Sequence, residues 1–226
     1  MTGESISSNR DIRLLFAART VRLFAYGFLS VILALYLASV GLDEKEIGML
    51  FTFTLLGDAV VSLWITTAAD RISRRKMLLL GAALMIAAGL VFALTNNFIL
   101  LAAAAIIGVI SPSGKEIGPF LSIEQAALSQ LSPGSERTTL FGWYNLAGSA
   151  GTAIGALAAG GVAALFSVFG IAPESVYRVL VFAYGGCGLL LAVLFLGLSP
   201  AVEVRPNRPE QSRNLFLGLH RSRGVV

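Results

Sequence analysis

Histidine and cysteine are almost missing: one of each in 226 residues. A lone cysteine, Cys187, excludes an internal disulfide and reads as a small packing residue in an apolar run. The lone histidine, His220, lies near the end of the chain. Zinc sites and any Ser-His or Cys-His catalytic pair within the apolar runs are thereby removed. No cofactor is expected, and an enzyme is not. Charge is scarce as well, at 13% of residues, where a soluble domain carries about a quarter. What is there in quantity is apolar: 56% of residues are hydrophobic and mean hydropathy is +0.79. That composition is an integral membrane protein. The net charge of +4 does not point to nucleic acid. The positive residues sit at the ends of apolar runs, where short loops retained in the cytoplasm collect Lys and Arg.

Six apolar stretches follow in order. Residues 1–13 are polar and read as a cytoplasmic N-terminus. Span 1 runs from about Leu14 to Val40, longer than the roughly 20 residues a bilayer needs. It is too long for a signal-peptide core and has no small-residue cleavage site behind it. A mostly acidic turn, Gly41 to Glu46, leads to span 2, about Ile47 to Ala69. The basic turn Asp70 to Lys76 follows, then span 3, about Met77 to Leu94. Span 4 starts at Phe98. Its apolar part ends near Ile110, where Ser111-Pro112-Ser113-Gly114 interrupts it, and a more polar continuation reaches Leu131. Span 5 covers about Thr138 to Phe169 and span 6 about Val176 to Leu198. Residues 199–226 form a basic, proline-broken tail, expected to begin a loop towards further spans. The six-helix domain is thus 14–198, with both termini inside a cell membrane, plasma or bacterial inner, and the chain reads as half of a longer protein.

The basic turn carries a motif. Asp70, Arg71, Arg74 and Arg75 match the charged positions of Gly-x-x-x-Asp-Arg-x-Gly-Arg-Arg, the loop between helices 2 and 3 of the major facilitator superfamily. Thr66 and Ser73 stand where that pattern has glycine. The chain therefore resembles the amino-terminal six-helix half of such a transporter, over essentially its whole length. The resemblance implies an all-α membrane bundle built from 3+3 inverted repeats, with substrate handled near the midplane between two halves.

Ionisable residues inside spans are functional candidates by default. Asp58 lies mid-span, with Thr54, Ser62 and Thr66 on the same helical face. It reads either as a proton-titrating carboxylate or substrate contact, or as a structural carboxylate. On span 1, Arg19, Arg22, Tyr26, Ser30 and Tyr36 form one stripe; the resemblance makes helix 1 a cavity wall, and this stripe its lining. Arg19 reads as snorkelling to the interface. Arg22 sits deeper and is expected to pair with Glu116 of span 4. Pro112 and Gly114 can break that span and create a new helix N-terminus near Glu116. Nearer the inner surface, Glu124 and Arg137 are expected to pair, joined by the Asp70–Arg71 turn. The resemblance gives such a network a role in linking halves. Span 5 offers Asn145 with Thr138, Ser149 and Thr152 on one face. Its glycines Gly148, Gly151, Gly155, Gly160 and Gly161, like Gly185, Gly186 and Gly188 of span 6, read as packing residues. Trp64, Trp143 and Tyr144 fit interfacial belts as readily as binding.

The function expected is secondary transport of a small molecule by alternating access, proton-coupled through Asp58 or Glu116. The partners would be the bilayer, the substrate, and either a missing carboxy-terminal half or a second copy. A six-span channel and a non-transporting membrane scaffold are the alternatives.

Overall fold

The structure is a computed structural model that describes residues 3–203, apart from Asp70, Val109 and residues 115–118, with side chains from Ser8 onward. Among the described residues seven α-helices follow in order: α1 Gly3–Ser39, α2 Glu44–Ala69, α3 Arg74–Leu94, α4 Phe98–Ile107, α5 Phe120–Leu131, α6 Arg137–Val168 and α7 Pro173–Leu196. A single 3-10 turn, Pro200–Val202, ends the described chain. Five of the helices are long and apolar enough to cross a membrane; α4 is apolar but shorter. At about 1.5 Å per residue, α4 and α5 together supply roughly the 30 Å that one crossing needs. They are the two parts of span 4, so the bundle has six crossings.

Local chemistry sets the turns. Gly41 takes φ +96°, a left-handed conformation that ends α1. Asp43 and Glu46 then exchange amide–carboxylate hydrogen bonds of 2.9 and 2.7 Å, a reciprocal cap on α2. The Asn97 side chain accepts from the Ile99 amide at 2.9 Å and opens α4.

Helix pairing follows a rule. α1 lies along α6 and α7, α3 lies along α7 and α4, and α2 lies along α4. Exchanging spans 1–3 for spans 4–6 maps this set of pairs onto itself, as two inverted three-helix repeats require. Small residues allow the close approaches. A Cβ added at Gly27 would fall 2.1 Å from the Thr152 carbonyl oxygen, one at Gly155 2.1 Å from that of Phe24, and one at Gly57 2.1 Å from that of Ile106. Gly151, Gly185 and Gly188 also sit against neighbouring helices, so five of the eight glycines expected to pack in spans 5 and 6 do so, Gly148 and Gly155 among them. Gly160, Gly161 and Gly186 face open space instead.

The apolar core centres on α1, α3 and α7. α2 and α6 are the least covered, with Leu56, Val60, Leu63, Leu157 and Val168 all exposed. In water such faces would be a liability; in a membrane they meet lipid or another polypeptide.

Two boundaries differ from expectation. α1 begins at Gly3, so the polar residues before Leu14 continue the helix and set no break at residue 13. Span 4 stops sooner than expected, at Ile107, and restarts only at Phe120 behind Pro119. Pro112 and Gly114 lie within this interruption, as expected of a helix break; Glu116, near which a new helix N-terminus was expected, lies outside the described residues. The intervening backbone is tolerated because protein covers it: Ile110, Ser111, Gly114 and Pro119 are buried. Gly114 takes φ +66° and lies against Ser30 and Gly27 of α1, where both its conformation and the lack of space require glycine.

Candidate functional site

The deepest polar feature joins three helices. Arg22 of α1 and Glu124 of α5 are both fully buried and form a bidentate pair, Nη1 to Oε1 at 2.6 Å and Nη2 to Oε2 at 2.8 Å. The Tyr144 hydroxyl, from α6, donates a short hydrogen bond to Glu124 Oε2. The Arg22 guanidinium also lies over the Phe120 ring, 4.6 Å from its centroid. Each piece has a local reason to be where it is. Phe120 opens α5 one helical turn before Glu124, so ring and carboxylate share a face. The ring reaches α3 at Gly81, where an added Cβ would come within 2.7 Å of it.

A second arginine leans on the same tyrosine. Arg19 is 6% exposed, with its guanidinium 4.2 Å above the Tyr144 ring centroid. It donates to Asn145 Oδ1 at 3.1 Å. Gly148, one turn further along α6, leaves room for it: a Cβ there would fall 2.5 Å from Arg19 Nε. Beyond Arg19 opens a cavity of about 430 Å³, lined with Leu23, Gly114, Ser149, Thr152, Ala153 and Ala156.

Asp58 lies one helical turn from a separate groove. The Ser62 hydroxyl donates to Asp58 Oδ1 at 3.0 Å, and one turn on, Thr66 and Ser122 share a hydrogen bond of 3.0 Å between α2 and α5. Ser62, Leu63, Thr66, Leu121, Ser122 and Gln125 line a second cavity of about 430 Å³ there.

These placements correct the expectations for Glu124 and for the span 1 stripe. Glu124 pairs with Arg22 and not with Arg137, which is exposed at the start of α6. Arg22 takes Glu124 as its bidentate partner; Glu116 lies outside the described residues. The span 1 stripe does not line one cavity. Tyr26 is fully buried within the bundle, and Tyr36 is buried too, its hydroxyl donating to the Phe92 carbonyl at 2.6 Å. Ser30 is half-buried against Gly114, and Arg19 alone of the stripe reaches the open cavity. The physical reason is crowding: α1 is packed by α5, α6 and α7 together, so most of its circumference meets protein. Tyr144, expected in an interfacial belt, is fully buried at the centre of the cluster. Only its place one turn before Gly148, on the glycine face of span 5, hinted at this.

At the basic turn, Asp70 lies outside the described residues and Arg71 is exposed. Arg74 donates to the Val202 carbonyl at 3.3 Å and to Gln130 Oε1 at 3.2 Å, and Arg75 donates to the Leu196 carbonyl. Ser73, in a glycine position of the motif, caps α3 by accepting from the Lys76 amide at 3.1 Å. Glu203 completes that cap, accepting from the Ser73 hydroxyl and, at 2.8 Å, from the Arg74 amide. A carboxylate there also meets the positive end of the helix dipole. Glu203 and Gln130 are the residues sequence reasoning missed. Among the described residues no group of His, Cys, Asp and Glu could hold a metal ion.

The inverted pairing, the broken fourth span and the charged turn all match one pattern, and a family model, the Major Facilitator Superfamily, matches residues 15–225. The chain belongs to that superfamily. Among the superfamily relatives, an uncharacterized membrane protein of Saccharomyces cerevisiae, YJR124C, is 38% identical over 199 residues, covering 87% of this chain and 44% of the relative. The quinolone resistance protein NorA of Staphylococcus aureus is 21% identical over 190 residues, covering 84% and 45%. The crystal structure of the human organic anion transporter MFSD10 (TETRAN) superposes with a TM-score of 0.59 at 18% identity, covering 88% of this chain and 48% of that one. The chain thus spans about half the length of the superfamily proteins it matches, and it is a multi-pass membrane protein of that fold.

Proposed function

We propose that this chain is one six-helix half of a secondary transporter that moves a small molecule across a cell membrane by alternating access. One observation carries the reading: a largely apolar cavity that holds Arg19, Ser149 and Thr152 opens beside α6, whose apolar face is left uncovered by its own bundle. A bundle finished on all sides would bury that cavity or lack it. The occupant of the open side is a carboxy-terminal half or a second copy, and the basic turn and both termini face the cytoplasm. Arg19 gives the cavity wall a guanidinium group. Together with the organic anion transporter that shares the fold, this makes small organic anions the first substrate class to test. Proton coupling runs through Asp58, which accepts from Ser62 at the edge of a groove that also holds Thr66, Ser122 and Gln125.

The test uses a Cys187→Ala background with single cysteines at Val60 and Leu157, both exposed apolar positions. Crosslinking in native membranes should join them to another transmembrane polypeptide, whose mass tells a second copy from a different half. Vesicles holding the joined pair should take up labelled organic anions saturably. Flux that rises without saturation would favour a channel, and crosslinking without flux a scaffold. Cysteines that reach only lipid-soluble label would overturn the half-carrier reading.

A further inference from the structure

At the start of α1, acid and base are sorted to opposite faces. Asp11 is fully buried, with Oδ1 accepting from the Ser199 amide at 3.0 Å and Oδ2 from the Ser199 hydroxyl. Asn9, Arg10 and Arg13 are exposed on the other side. With Leu14 and Ala17 they line the most voluminous of the cavities described here, about 560 Å³. Arg10 and Arg13 are one helical turn apart, so their guanidinium groups are neighbours. Ala17 lies about 10 Å further along the helix axis than Arg10, at 1.5 Å per residue. The wall therefore changes from basic to apolar over the depth at which a headgroup gives way to acyl chain. Arg75, which reaches the end of α7 at Leu196, adds a third guanidinium to this corner, where Arg10 lies beside Gly197.

We propose that this cavity holds one anionic phospholipid, with Arg10 and Arg13 on the phosphate, Asn9 on headgroup hydroxyls and an acyl chain along Leu14 and Ala17. Basic pockets at the ends of transmembrane helices suit such headgroups. A free phosphate would leave the apolar lower half unused. The ammonium of a zwitterionic lipid would meet two arginines. The inward turn of Asp11 keeps the one acid among residues 8–17 away from the phosphate. The proposal does not depend on transport.

Native mass spectrometry of the purified 226-residue chain tests it, after exchange into equal amounts of phosphatidylglycerol and phosphatidylcholine. A retained phosphatidylglycerol adduct is expected, favoured by about 10- to 30-fold for two arginines near a phosphate. Arg10→Gln with Arg13→Gln should bring the ratio near one, while Arg71→Gln with Lys76→Gln should leave it unchanged. Leu14→Trp keeps both charges and should expel the adduct by filling the apolar half; circular dichroism checks that each variant keeps its helices. Equal retention of the two lipids by wild type, an unchanged ratio in the double-glutamine variant, or full displacement by soluble glycerol phosphate would each overturn the proposal. The last outcome would make this a phosphate site and not a lipid site.

Discussion

Arg22 and Glu124 are 102 positions apart in the chain and meet through two parallel hydrogen bonds with both side chains fully buried. Removing one partner leaves the other charge stranded in a low-dielectric interior. Glu124→Leu or Arg22→Leu alone is therefore expected to destabilise the bundle by about 3–5 kcal/mol, and the double replacement by much less. Thermal melting of the four proteins in one detergent closes the cycle. Strict additivity of the two single effects would show that the pair is not coupled.

Tyr144 acts on that pair through its hydroxyl and on Arg19 through its ring. Tyr144→Phe keeps the ring and its edge contact with Phe16, and loses the hydrogen bond to a buried carboxylate. A loss of about 1.5–3 kcal/mol is expected, since hydrogen bonds to charged groups lie at the strong end. Tyr144→Ala should cost more, because the Arg19 contact goes too. Equal melting points for the phenylalanine variant and wild type would refute the role of the hydroxyl.

The glycines divide into two classes by what faces them. Gly155→Ala and Gly27→Ala push a methyl group onto backbone carbonyls across the α1–α6 seam, where neither side can yield. Each is expected to lower stability by more than about 2 kcal/mol, or to prevent assembly. Gly160→Ala and Gly161→Ala meet open space and should stay within about 0.5 kcal/mol of wild type or gain slightly from helix propensity. Expression level and melting temperature in detergent measure both groups side by side.

The segment after α7 is tied down by Glu203 at the N-terminus of α3 and by Gln130, whose amide donates to the carbonyls of Ala201 at 2.9 Å and Glu203 at 2.7 Å. Glu203→Gln removes the charge from this cap and should cost about 1 kcal/mol. Its clearest sign should be faster proteolytic cleavage between residues 199 and 203. Cleavage as slow as wild type would show that the strap holds without it.

If the half-carrier reading is right, Asp58→Asn in the completed transporter should abolish uptake driven by a pH gradient while leaving counterflow exchange intact. Undiminished pH-driven uptake would retire Asp58 as the coupling group. Ser62→Ala offers a milder change, removing the hydroxyl that donates to the carboxylate.

The apolar runs were legible from residues alone, because hydrocarbon selects side chains by transfer energy one span at a time. Span 2 as read from composition, Ile47 to Ala69, differs from α2 by three residues at its start. The interruption of span 4 was visible in Ser111-Pro112-Ser113-Gly114, though not its length, since Pro119 rather than Pro112 sits at the restart. The packing role of Gly151 and Gly155 was visible too, as small residues at helical spacing.

What composition could not decide was which charge meets which. Depth estimated along each span put Glu124 opposite Arg137, where the structure pairs it with Arg22. The pairing actually turns on the rotation of α5 after a non-helical break, a quantity no periodicity carries across the gap. Tyr144 shows the same limit: a tyrosine near a span's end suits the interface or the core equally, and only the seam between α1 and α6 settles it. The sequence of this protein determined how many helices enter the bilayer, because each span answers to lipid on its own. Tertiary packing decided where its few charges go, because an ion pair is a property of two helices at once.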